Sequence, residues 1–110
     1  MMRRLALLAA VASLSARSVT LPVRGQMDNG KEAFTGSATG HMDGAGELQI
    51  TSVAGVACRG AFVYTTSRTG EGTLNCDDGR SGPFTFVSTG SRGTGSGSLN
   101  GRPLTFTFGG

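Results

Sequence analysis

The chain has 110 residues, a formal net charge of +3, 19 Gly and no Trp, with six Phe and one Tyr as its only aromatics. That length holds one domain at most. So small a positive surplus gives no electrostatic footprint for nucleic acid, and no nucleic-acid partner is expected.

The chain opens with a basic stretch, Met1 to Arg4, and an apolar run, Leu5 to Leu14, followed by the small residues Ser15 and Ala16. This is the pattern of a secretory signal peptide, expected over residues 1–16 as an apolar helix that is later removed. The run is too short for a stable membrane span, which needs about 20 apolar residues. Cleavage is expected after Ser15 or Ala16 and takes Arg3 and Arg4 away, so the +3 of the whole becomes +1; with Ala16 the last residue removed, 94 of the 110 residues remain. The expected location is the periplasm or the exterior. Residues 17–30 read as a flexible lead-in, because Pro22 argues against a central strand.

Residues 31–110 read as the folded domain. Short segments of alternating polarity fall near 31–39, 44–52, 57–65, 71–77, 82–89, 94–99 and 103–108, separated by clusters of Gly, Asp, Asn and Ser that suit turns. The fold class is all-β: an antiparallel meander of about seven short strands, as a curved sheet, a small sandwich or a partly closed barrel. Folding the third hairpin about Ser67 sets Tyr64 against Gly70, Phe62 against Gly72 and Cys58 against Cys76. In an exported chain that pair of cysteines reads as a disulfide. Asn100-Gly101 is a strong two-residue hairpin signal. It sets Gly97 against Leu104, Gly95 against Phe106 and Gly93 against Phe108, so that rings cover bare backbone.

The stretches GAGELQI, GEGTLNC and GSGSLNG share G-x-G-x-L, while AFVY, PFTF and LTFTF share alternating aromatics. A partial first copy, EAFTGSATGHM, precedes them, and together they read as an internal hairpin repeat. The unit from Gly70 to Phe84, with its G-x-G, D-G and G-x-F, resembles the MORN repeat. That resemblance implies a lipid- or partner-binding role. From Cys58 to Phe108 the chain is similar to small exported all-β proteins of Gram-negative bacteria that share C-x-G-x-F, D-G-R-S-G and T-F-T-F-G, a group with no assigned activity. This second resemblance implies secretion and a β fold, and it supplies no catalytic residue.

Candidates for chemistry are few. His41 and Asp43, in GHMDG, are a weak acid/base pair. Asp77 and Asp78 read as part of a turn, since calcium wants six or more oxygens. No Ser lies in G-x-S-x-G, and the glycine-rich Gly93–Gly101 lacks the Lys of a phosphate loop. Metal and cofactor sites are not expected. Arg68, Arg92, Arg80 and Arg102 all fall at turns, with Arg68 and Arg92 expected at one end of the meander and Arg80 and Arg102 at the other. The expected function is a non-catalytic binding or structural module of the cell envelope. Two alternatives are a small hydrolase-like enzyme centred on His41 and a peripheral envelope or anion binder using the turn arginines. Envelope components are the expected partners, together with self-association through an exposed edge strand. An outer-membrane barrel is disfavoured by the short strands, missing aromatic girdles and Thr- and Ser-bearing outer faces.

Overall fold

The structure, a computed structural model, describes residues 18–109. The signal segment expected over 1–16 lies outside them. Eight strands follow one another: β1 (Val19–Met27), β2 (Glu32–Gly40), β3 (Ala45–Ser52), β4 (Ala57–Tyr64), β5 (Thr69–Cys76), β6 (Ser81–Thr89), β7 (Arg92–Leu99) and β8 (Arg102–Gly109). Each pairs antiparallel with the next, and β8 returns to pair with β1, closing a barrel.

Two expectations are corrected here. The strands number eight, and the sheet closes completely round. Both corrections have one cause. The residues expected as a flexible lead-in form β1, which bonds to β2 from Val19↔Gly40 to Met27↔Glu32 and to β8 from Val23↔Phe108 to Met27↔Leu104. Pro22 is tolerated because β8 does not reach it: it faces Ser37 of β2, and the β1–β8 ladder begins one residue later. Closure removes the unpaired edges on which sheet-to-sheet self-association depends. The first four residues of β1 and, on β8, Arg102, Pro103 and Gly109 extend beyond the closing ladder.

The sheet bends enough to close where it carries no side chain. A Cβ on Gly82 would collide with the backbone carbonyl of Ser98, and the same holds for Gly36 against Gln49 and Gly60 against Thr73. Small barrels need such bare corners repeated round the wall. Along each strand, side chains then alternate between a buried interior and an exposed wall; β8 buries Leu104, Phe106 and Phe108 and exposes Thr105 and Thr107.

The expected registers are present. Cys58 faces Cys76, Phe62 faces Gly72 and Tyr64 faces Gly70. Gly93, Gly95 and Gly97 face Phe108, Phe106 and Leu104. Asn100 and Gly101 both take positive φ, 50° and 80°, as a tight hairpin of this twist requires. The rings over the glycines of β5 come from the following strand, however. Phe84 lies over Gly72 and Phe86 over Gly70, while Phe62 leans back over Gly46 of β3. Cys58 and Cys76 form a buried disulfide between β4 and β5.

Candidate functional site: the open end of the barrel

The two ends of the barrel differ. At the end that holds the β1–β2, β3–β4, β5–β6 and β7–β8 turns, the interior is filled by Met27, Ile50, Leu74, Leu99 and the disulfide, all essentially inaccessible except Cys76 at 9%. Arg80 lies across this end. It donates to both carboxylate oxygens of Glu32, at 2.8 and 3.1 Å, and through Nε to Asp78 at 2.8 Å; one of its nitrogens also lies 3.4 Å from the Met27 sulfur. The hydrogen bond to Glu32 is the main cause holding the Arg80 guanidinium above its ordinary range, against a smaller opposing effect of burial. Arg102 donates to Asp28 at 3.1 Å. The carboxylates at this end thus engage the two arginines expected there as anion-binding candidates.

The opposite end is open. It leads into a cavity of about 310 Å³ whose lining includes Val19, Leu21, Ala38, Leu48 and five Phe rings, with Tyr64 and Ser91 as its side-chain hydroxyls. No charged side chain belongs to that lining. The rings pack edge to face, Phe62 on Phe86 at 5.1 Å, Tyr64 on Phe86 at 5.2 Å and Phe84 on Phe106 at 6.0 Å between centroids. Such contacts fix ring positions and contribute about 0.5–1.5 kcal/mol each beyond burial.

The cavity exists because β2 is short of rings. Strands β4, β6 and β8 bring Phe62 and Tyr64, Phe84 and Phe86, and Phe106 and Phe108 to the upper interior. Strand β2 brings its one ring, Phe34, to the filled half and continues with Gly36, Ala38 and Gly40. Ala38 faces Leu48 and Gly40 faces Gly46 on β3, and while Phe62 leans over Gly46, nothing lies over Gly40, so the unfilled space follows β2. Sequence reading noted EAFTGSATGHM as an incomplete copy but did not connect the missing rings to a cavity. That was the signal available.

One polar device stands at the mouth. Tyr64 donates to Ser88 Oγ at 3.5 Å, a long contact, and Ser88 donates on to the backbone carbonyl of Arg68 at 3.2 Å. The backbone N–H of Ser88 donates to the same carbonyl at 2.6 Å. Tyr64 is partly exposed and lines the cavity; Ser88 is buried behind it.

The other sequence candidates lie around this end without joining it. His41 and Asp43 occupy the β2–β3 turn, exposed and outside the cavity lining. Asp43 Oδ1 accepts from the backbone N–H of Ala45 at 3.1 Å, as an ordinary turn carboxylate does. Arg68 is exposed in the β4–β5 turn and Arg92 is exposed at the start of β7. Both belong to the open end, as expected. Among the described residues no group of three or more His, Cys, Asp or Glu could hold a metal ion.

No protein-family model and no curated protein matches the chain. Among solved structures, a redesigned β-barrel, mFAP1, bound to DFHBI, is similar with a TM-score of 0.69 and 15% identity, over 88% of this chain and 97% of that one. A de novo designed fluorescence-activating β-barrel is similar with a TM-score of 0.61 and 18% identity, over 81% and 88%. Likeness at these identities shows the shared fold, a small closed antiparallel barrel.

Proposed function

We propose that the protein is an exported, non-catalytic binding module of the cell envelope whose barrel holds one small apolar molecule. The observation that carries this reading is the asymmetry of the barrel interior. One half is filled, stapled and closed by ion pairs; the other half is an open cavity of about 310 Å³ walled by rings. That volume and that lining suit a compact ligand, since small-molecule sites are concave, mostly apolar and furnished with a few polar groups. The disulfide accords with export. One of the designed barrels of the same fold is bound to a small molecule, DFHBI, which shows that barrels of this size accommodate such ligands. A hydrolase centred on His41 draws no support from the geometry, because the imidazole is exposed in a turn and does not line the cavity.

Titration with Nile red, a neutral dye whose emission rises in apolar surroundings, tests the reading. Saturable one-to-one binding is expected in the wild type. It should be lost in Ala38→Phe, which sets a ring in the vacant space. Binding can also be followed without dye emission, because Tyr64 is the only Tyr in a chain without Trp and stands at the cavity mouth. Absence of saturable binding, or equal binding by Ala38→Phe, would overturn the proposal.

A further inference from the structure

We propose that the ligand carries a hydrogen-bond donor, a hydroxyl or an N–H, on a neutral ring-bearing body, and that Tyr64 Oη receives it. This rests on the reading of the cavity as a ligand site and specifies the chemistry of that ligand.

The body follows from the walls. A charged group carried inside would lose its hydration against a lining with no charged side chain, at a cost of several kcal/mol or more. Flat apolar rings suit the surroundings, since Phe62, Phe84, Phe86, Phe106 and Phe108 present both faces and edges to the space.

The polar end follows from the direction of the hydrogen bonds. A carbonyl oxygen can only accept, so the single hydroxyl proton of Ser88 is committed to the backbone oxygen of Arg68. Ser88 Oγ then offers lone pairs, and the Tyr64 proton is directed onto it. What Tyr64 has left is acceptor capacity. It stands at the mouth of the cavity with lone pairs available and its proton turned toward Ser88 across a long contact of 3.5 Å. A ligand donor completes the chain Arg68 carbonyl, Ser88, Tyr64, ligand, with each hydroxyl donating once in the same sense. At Tyr64, a ligand that offers only acceptors meets oxygen with oxygen; the Ser91 hydroxyl, which also lines the cavity, can donate to such a ligand, and its contact is to be told apart from that of Tyr64. Tyr64 faces Gly70 of β5, over which the Phe86 ring lies, and Tyr64 packs edge to face on that ring.

The test uses two probes of matched shape, 2-naphthol and 2-methoxynaphthalene, titrated calorimetrically into the disulfide-bonded full chain. Tyr64→Phe keeps the ring and removes the acceptor. The ratio of the two dissociation constants should shift by about tenfold between wild type and Tyr64→Phe, the size of one hydrogen bond between neutral groups, with 2-naphthol losing and 2-methoxynaphthalene holding its affinity. Ser88→Ala supplies the second arm. It releases the Tyr64 proton, so 2-acetonaphthone, which only accepts, should gain several-fold over the wild type. An unchanged ratio in Tyr64→Phe overturns the donor rule, as does a Ser88→Ala protein that gains nothing for the ketone. If Nile red binds and is sensitive to Ala38→Phe while the naphthalene ratio does not move, the cavity reading survives and only the donor rule falls. If no probe binds, both fall.

Discussion

At Gly95 the ring of Phe106 occupies the space that any side chain would need, and Gly93 stands in the same relation to Phe108. The absence of a side chain on β7 is therefore what lets β8 turn its rings inward. Gly95→Val is expected to lower stability by about 1–3 kcal/mol, the range for forcing extra methyl groups into packed space. The loss should appear as a lower midpoint in urea unfolding. The variant should also disturb the Phe84–Phe106 contact, which lies at the cavity wall. If Gly95→Val matched the wild-type midpoint, the ring would not be confined to the glycine strand. These pairings were legible in the sequence, because an Asn-Gly turn fixes the register and alternation then decides which residues face each other. The Arg80–Glu32 pair was not legible. Its members lie 48 positions apart and meet only because the turns of β1–β2 and β5–β6 share one end of a closed barrel.

Among the strands, β4 and β5 are the pair held by covalent chemistry. Cys58 and Cys76 close a loop with a sequence separation of 18, for which chain entropy gives about 3 kcal/mol of stabilisation. Reduction, or the double change Cys58→Ser with Cys76→Ser, should lower the unfolding free energy by roughly that amount. Affinity for an apolar probe should remain, since the bridge lies in the filled half and does not line the cavity. Denaturant titrations with and without reductant, each followed by a binding curve, would separate the two effects. Loss of binding together with loss of the bridge would mean that the two halves of the interior are coupled. The strand that escaped sequence reading was β1, and the reason is physical. Its sequence, VTLPVRGQM, has a proline and mixed polarity, and these outweighed the turn signal Asp28-Asn29-Gly30 that joins it to β2. Its stability comes from β2 on one side and from β8 on the other, some 80 residues away. A pattern read locally sees the proline and misses the closure that accommodates it.

Taken whole, the barrel presents a polar wall: Arg24, Glu47, Gln49, Arg59, Glu71, Asn75, Thr85 and Thr107 are all exposed on its strands. A lipid-facing barrel carries a continuous apolar band there instead, whereas the exposed Val63 and Val87 of this wall stand opposite Glu71 and Thr94, and the continuous apolar capacity of the molecule is its cavity. That capacity is costly to maintain. An unfilled apolar space forfeits the contacts its lining would otherwise make, and a domain within a chain of 110 residues has a small margin to spare. Natural cores rarely leave a ring-sized position vacant without a use for it. Ala38→Phe therefore makes a prediction with two opposed parts. Placing on β2 a ring like those of β4, β6 and β8 should raise the unfolding free energy by about 0.5–2 kcal/mol, the usual range for cavity filling. The same ring should abolish stabilisation by ligand. In the wild type, an apolar probe at about a hundred times its dissociation constant should add about 2.7 kcal/mol, seen as a rise in Tm that the variant lacks. Thermal scans of both proteins with and without probe measure the two parts together. A variant that is less stable than the wild type and still shifts with probe would mean that the space is neither vacant nor the binding site, because a ring would then have displaced packing and left the ligand untouched.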